Sequence, residues 1–130
     1  MMEFFKKRLI KKAYSMGGIN RGESYAAYYL KRCGYKILNQ NYSVGFAEID
    51  LIAKKKNVLS FVEVKQRKDM LYGTPGQAVT PAKQWKIRKA AQMYLAQNKI
   101  KCEVSFDVVE IYGSCSDEKL PKLVHIKGAF

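Results

Sequence analysis

The chain has only one histidine, three cysteines and three prolines in 130 residues, and its 11 acids face 24 lysines and arginines. Each shortage excludes something. His125 has no second imidazole with which to build a zinc site. Cys33, Cys102 and Cys115 are odd in number and widely spaced, giving neither a disulfide framework nor a CxxC metal pattern; they fit a reducing compartment, so a cytoplasmic protein is expected. No stretch approaches the ~20 apolar residues that span a bilayer. Phe4-Phe5 runs directly into Lys6-Lys7-Arg8, so no signal-peptide core develops. Repeats, low-complexity tracts and convincing linkers are also missing.

What is present is a basic globular chain. Hydrophobic residues make up 48% and charged residues 27%, enough for one core at a common single-domain length. The net charge of +13 and a pI near 9.7 call for a polyanionic partner, nucleic acid or an anionic membrane surface, with plain solubility as the ordinary alternative.

Residues 1–18 read as a basic N-terminal arm and 19–130 as a single domain. In the arm, Phe5, Leu9 and Ala13 recur at helical spacing among lysines, which suits a short helix, a nucleic-acid arm or a membrane-touching segment. A helix is expected from about Asn20 to Arg32–Cys33, ended by Gly34, with Ala26, Ala27 and Leu30 inward. Glu23 lies on that stripe, and it serves equally as a cap after Asn20 or as a site residue. Tyr35–Val44 reads as a strand. A second helix opens at Thr80-Pro81 and runs to about Asn98, with Ile87, Ala91, Tyr94 and Leu95 inward and Lys86 and Lys89 outward. Val104–Tyr112 and Leu123–Lys127 complete the order α-β-β-β-α-β-β, the last strand at an edge. The fold class is α/β, a mixed central sheet flanked by helices.

The chain is organised around Phe46–Ala53 and Val58–Lys65, two strands joined by Lys54-Lys55-Lys56-Asn57. Alternation sets Glu48, Asp50 and Ile52 against Ala47, Ile49, Leu51 and Ala53, and Leu59, Phe61, Glu63 and Lys65 against Val62 and Val64. Pairing as a hairpin brings Asp50, Glu63 and Lys65 to one face. Like charges ~4 Å apart repel by about 4 kcal/mol at an effective dielectric of 20, so clustered acids take up a proton or a cation. Oxygen donors without histidine or thiol suit magnesium or manganese. A hard cation beside a lysine suits phosphodiester hydrolysis, although an E-x-K tripeptide alone is more often a surface ion pair. Lys83, on the first turn of the second helix, can reach the same face. The loop after Lys65, with Arg67 and Lys68 among glycines, suits a phosphate backbone or a simple connector.

Gly22-Glu23, Ala47–Ala53, Phe61-Val62-Glu63-Val64-Lys65, Ala78-Val79 with Lys83, and Phe106-Asp107-Val108-Val109 together resemble the YraN-like family. These are small bacterial endonuclease-like proteins of the PD-(D/E)XK superfamily, similar to archaeal Holliday-junction resolvases. The resemblance covers about residues 17–112, with a weaker echo in Ala129-Phe130. It implies a restriction-endonuclease-like core and a magnesium-dependent site. Asp50 and Glu63 would bind metal, Lys65 would activate the attacking water, Glu23 would complete the shell, and the Val64 carbonyl would be a further ligand. Ala47 stands where the family usually has Gly, and Ser105 where it often has Arg. Glu48 is left open between a second metal ligand and a structural partner. The expected activity is endonucleolytic hydrolysis of DNA, with RNA left open and branched or junction DNA as one substrate. Resolving a junction would take a homodimer. Lys83, Lys86, Arg67 and Lys68 would contact the nucleic acid. The rivals are a non-catalytic nucleic-acid-binding module and, last, a membrane-surface protein.

Overall fold

Among the described residues, a five-stranded mixed sheet whose central strands are buried on both faces is covered by one helix on each side. The structure is a computed structural model describing residues 21–67, 79–113 and 121–130. The expected basic arm, Asn20, Lys68 and the loop that follows it to Gly76, Ala78, and the turn residues 114–117 lie outside the described residues.

In chain order the elements are α1 (Arg21–Arg32), β1 (Lys36–Ser43), β2 (Glu48–Lys55), β3 (Val58–Arg67), α2 (Pro81–Asn98), β4 (Glu103–Tyr112) and β5 (Lys122–Ile126). This is the order expected from the sequence. The strands lie side by side in that same sequence. β1, β2 and β3 form an antiparallel meander, β4 runs parallel to β3, and β5 pairs antiparallel with β4 at the edge.

Local chemistry fixes the helix ends. Gly34 takes φ 94°, and the Tyr35 N–H donates back to the Leu30 carbonyl at 2.9 Å, closing α1 with a left-handed cap. At α2, Thr80 Oγ1 accepts the Lys83 N–H at 3.2 Å, and Pro81 occupies the first turn without needing a partner for a missing N–H. The cap sets where the first turn begins, and so where Lys83 projects.

Ala26, Ala27 and Leu30 of α1 pack on Leu51, Ala53, Val62, Val109 and Ile111. Ile87, Ala90, Ala91 and Tyr94 of α2 pack on Ile52, Leu59, Phe61 and Val108 from the other face. Burying a side chain such as Phe61 contributes about 2–3 kcal/mol. Phe61 stacks on Phe106 at 5.7 Å, Phe106 stacks on Phe130 at 5.4 Å, and the Arg88 guanidinium lies 4.8 Å above the Phe106 ring. The Ala129-Phe130 segment is thereby held against the α2 face.

One expectation fails. Strict alternation put Ile49 with Leu51, but Ile49 packs with Ile52 in the α2-side cluster and Leu51 packs under α1. The β2–β3 ladder stops at Leu51↔Val62, whereas β2 stays paired with β1 up to Ser43↔Glu48. Beyond Leu51 the strand is free of β3 and twists, so its two-residue period breaks.

β4 alternates, with Phe106 and Val108 on the α2 side and Val109 and Ile111 on the α1 side, but its acids carry roles the sequence did not suggest. Asp107 is fully buried and binds Ser105 Oγ at 2.6 Å, His125 Nε2 at 2.9 Å and the Gly128 N–H at 3.1 Å. Burial pushes its carboxyl up, yet the bonds from His125, Ser105 and Gly128 outweigh burial and hold it below the usual carboxylate range. Asp107→Ala should lower the unfolding free energy by about 3 kcal/mol, measured by urea titration, because it strips three partners at once. The folded carboxyl is held low, so its stabilisation is present above the unfolded pKa and is lost as pH falls through the folded one; wild type and variant should converge in acid.

Candidate metal centre

Where β2 and β3 part, the backbone opens a notch. The next antiparallel pair would have been Asp50 opposite Glu63, but the ladder ends one step earlier, at Leu51↔Val62. Asp50 fills the gap with its side chain: Oδ2 accepts the Val64 N–H at 2.8 Å. A buried amide that loses its ladder partner must find another, and the carboxylate provides it. The N–H and C=O of one strand residue leave on the same edge, so the Val64 carbonyl is also directed to the Asp50 side.

Three acids meet at this notch. Carboxylate oxygens of Glu23 from α1 and of Glu48 and Asp50 from β2 all lie within 4.8 Å of one another. Asn41 sits on β1 between the Gln40↔Leu51 and Tyr42↔Ile49 pairs, opposite Asp50, with φ 53°. Asparagine tolerates that left-handed backbone better than most residues. With its amide nitrogen turned toward the acids, Asn41 donates to Glu23 Oε2 at 2.6 Å and to Glu48 Oε1 at 3.1 Å.

Glu63 and the lysines form the other half. Glu63 is 6% exposed, and its Oε1 is bound by Lys83 Nζ and lies 3.5 Å from Lys65 Nζ. A pocket of about 520 Å³ exposes Glu48, Asp50, Glu63, Lys83 and Lys86 to one space.

Charge strains this arrangement. Burial, then the Glu63 charge, lifts the Asp50 carboxyl to about 7 against the pull of the Val64 N–H. Burial also raises Glu23, and the Glu48 charge adds to the effect. Burial, then the hydrogen bond and charge of Lys83, lowers Lys65. Burial pulls Lys83 down as well, but its bond to Glu63 and the Glu63 charge outweigh that and leave it above the ordinary lysine value. The two ammonium groups thus differ: Lys83 stays charged and Lys65 releases its proton more readily. Oxygen donors at this spacing, one of them raised to about 7 by burial and the Glu63 charge, fit a hard divalent ion. Glu23, Glu48 and Asp50 would hold it. His125 is committed to Asp107 and takes no part.

The sequence profile described as "Uncharacterised protein family UPF0102" matches residues 22–111, which span both helices, four strands and every residue of this centre. The chain belongs to the UPF0102 family. A UPF0102 protein of Caldanaerobacter subterraneus is 46% identical over 110 residues, covering 84% of this chain and 90% of its own. One from Caldicellulosiruptor saccharolyticus is 40% identical over 112 residues, covering 85% and 94%. A third, from Chloroherpeton thalassium, is 49% identical over 92 residues, covering 70% and 71%. The YraN-like resemblance therefore holds at the level of the family.

For this UPF0102 chain, the structure places Glu23 beside Asp50, Asp50 on the Val64 N–H, and Glu63 between Lys65 and Lys83. It redistributes them, however. Glu48, whose role the sequence left open, joins Asp50 and Glu23, while Glu63 is engaged by the two lysines. Arg67, expected on a phosphate, turns to the buried Glu110, its Nε 3.1 Å from Oε2, where Tyr112 also donates. Lys86 is exposed at the pocket rim, where a phosphate contact remains open to it. Sequence reasoning missed Asn41 altogether. A lone asparagine in a polar strand carries no pattern, and only its opposition to Asp50 gives it meaning.

Without metal, ionising Asp50 should cost stability. Its folded pKa is raised from 3.8 to about 7, so the contribution is most favourable in acid and is lost as pH climbs across that interval. Melting of the metal-free protein should therefore fall between about pH 4 and pH 7, and magnesium should restore it at pH 8. Asp50→Asn should flatten that limb, stabilise the metal-free protein at pH 8 by on the order of 2 kcal/mol, and abolish the magnesium effect.

Proposed function

We propose that this protein is a metal-dependent endonuclease that hydrolyses DNA phosphodiester bonds, on a restriction-endonuclease-like core of the PD-(D/E)XK type. One observation carries the reading: a three-acid cluster of Glu23, Glu48 and Asp50 shares a pocket, through Glu48 and Asp50, with Glu63 and Lys83, and Glu63 also pairs with Lys65. In the superfamily pattern the strand acid corresponds to Asp50, the acid and lysine of the next strand to Glu63 and Lys65, and the helix acid to Glu23. Magnesium or manganese, held by Glu23, Glu48 and Asp50 with the Val64 carbonyl nearby, would lower the pKa of a bound water and stabilise charge on a phosphoryl oxygen.

The chain's own groups divide the remaining work. Lys65, with its pKa lowered, is suited to take a proton from the attacking water or to hold that water in line. Lys83 keeps its charge and is suited to a non-bridging phosphate oxygen. Glu63 lies between the two ammonium groups and pairs with both, with Lys83 on the pocket wall. The net charge of +13 supports binding to a polyanion, and that binding should weaken steeply with salt. Cutting both arms of a junction would require a homodimer presenting two such sites. Among the described residues no helix is long and apolar enough to cross a membrane. A cytoplasmic location is part of this proposal and rests on the cysteine pattern, which suits a reducing compartment.

The test uses labelled junction, flap and linear DNA with magnesium or manganese. Lys65→Ala should reduce the cleavage rate by roughly 100-fold or more. Glu48→Gln should raise the magnesium concentration needed for half-maximal rate about tenfold. Cleavage that persists unchanged in Lys65→Ala would sink the mechanism. Salt-sensitive binding without metal-dependent cleavage of any of these DNAs would instead favour the non-catalytic binding module.

A further inference from the structure

Beside the acid-lined pocket lies a second groove, of about 620 Å³, with mostly apolar walls. Phe46, Trp85 and Met93 line it and are 46%, 60% and 39% exposed, and Lys86 and Lys89 complete its edge. Phe46 and Lys86 belong to both pockets, so the groove is continuous with the acid site. The groove is built from two elements. Trp85, Lys89 and Met93 follow one another at four-residue spacing on the outer side of α2, opposite the buried Ile87, Ala90, Ala91 and Tyr94. Phe46 is presented by the tight connection between β1 and β2, where the Val44 N–H donates to the Ala47 carbonyl at 3.0 Å.

No core packing accounts for an indole left 60% exposed. Its surroundings favour one kind of occupant. α2 holds Lys83, Lys86, Arg88 and Lys89 and not one acid, and Lys89 Nζ lies 5.6 Å over the Trp85 ring. A second copy of this chain would bring the same positive charge against it. A polyanion with flat apolar groups meets both features: phosphates pair with the lysines and bases stack on the rings. Within a duplex the bases are already stacked and offer only their edges, so the rings would find no partner there.

We propose that the Phe46–Trp85–Met93 groove stacks unpaired bases, so that the acid site receives a phosphodiester at or beside a single-stranded segment. This rests on the phosphodiester reading of the neighbouring pocket and narrows it to strands with unpaired nucleotides: single strands, flaps and the open centres of branched DNA.

Trp85 is the chain's one tryptophan, so intrinsic fluorescence reports on the groove directly. In EDTA, short oligothymidylate should quench it saturably, and a blunt, fully paired duplex of equal length should quench it much less. By anisotropy of a labelled oligothymidylate, Trp85→Leu should weaken binding about tenfold, Trp85→Phe should bind within about twofold of wild type, and Phe46→Ala should resemble Trp85→Leu. These side chains are exposed, so the variants should fold as wild type by circular dichroism. Equal quenching by the blunt duplex, or wild-type binding by Trp85→Leu, would overturn the proposal. So would Trp85 fluorescence that changes with protein concentration alone alongside dimerisation in sedimentation, since a second copy would then fill the groove. Stacking on a strand that is never cleaved with metal supports this proposal while removing the nuclease reading; cleavage of single strands with Trp85 unresponsive overturns this proposal alone.

Discussion

The hydrogen bond from the Val64 N–H to Asp50 Oδ2, 2.8 Å long, is the contact on which the centre depends. β3 is shared between two neighbours. It keeps β4 through Arg67↔Tyr112 and loses β2 after Leu51↔Val62. A strand that loses one neighbour mid-sheet leaves amides without partners, at about 1–3 kcal/mol for each buried one. Asp50 meets that need with a carboxylate in place of a carbonyl. The same bond that completes the sheet therefore fixes one carboxylate oxygen of the acid cluster, and under the proposed function that side chain would not have to be ordered anew for a cation.

Charge is distributed with similar economy. The acids without a lysine partner gather on the α1 and β2 side of the notch, and the lysines come from β3 and α2. Glu63 lies between the groups; its charge raises Asp50 and Glu23, and it binds Lys83. Folding the metal-free chain works against this repulsion, a cost the two apolar layers absorb. Clustered acids without a counter-charge destabilise the fold, and a cation bound there, as the proposed function requires, would relieve that cost. The structural acids on β4 show the contrast. Asp107 and Glu110 are fully buried too, but each is met by donors: His125, Ser105 and the Gly128 N–H for Asp107, and Arg67 and Tyr112 for Glu110. Burial alone does not make an acid functional; an unmet charge in a pocket does.

This distinction also separates what was legible in the sequence from what was not. The helices were readable because their signals are local: Gly34 ends α1, and Thr80-Pro81 begins α2. The hairpin was readable because apolar alternation survives in Val58–Lys65 and the turn lysines punctuate it. The family resemblance was readable because its short motifs sit on those same elements. Three things were hidden. The rank of Glu48 depended on β2 twisting free of β3, which period-two reasoning assumes away. Asn41 depended on a left-handed residue inside a strand. The partners of Asp107 and Arg67 lie 18 and 43 positions along the chain, and only the β4–β5 and β3–β4 pairings bring them near. Arg67 was assigned to phosphate for that reason: a basic residue at a strand end looks solvated until a buried acid on the neighbouring strand is known.

α2 connects the two pockets. Its first turn sends Lys83 inward to Glu63, while the next residues on its outer side, Trp85, Lys86 and Lys89, face the adjoining groove. Both directions follow from one start point, the Thr80 cap, because a helix fixes the angle between successive side chains at about 100°. Shifting that start by one residue would turn Lys83 off Glu63 and carry Trp85 away from Phe46 together. The acids on α1 and β2, which belong to other elements, would stay in place. The helix therefore couples the position of Lys83 to that of Trp85, independently of Glu23, Glu48 and Asp50 on α1 and β2, so the proposed phosphate and base contacts would move together while the acid cluster stays put.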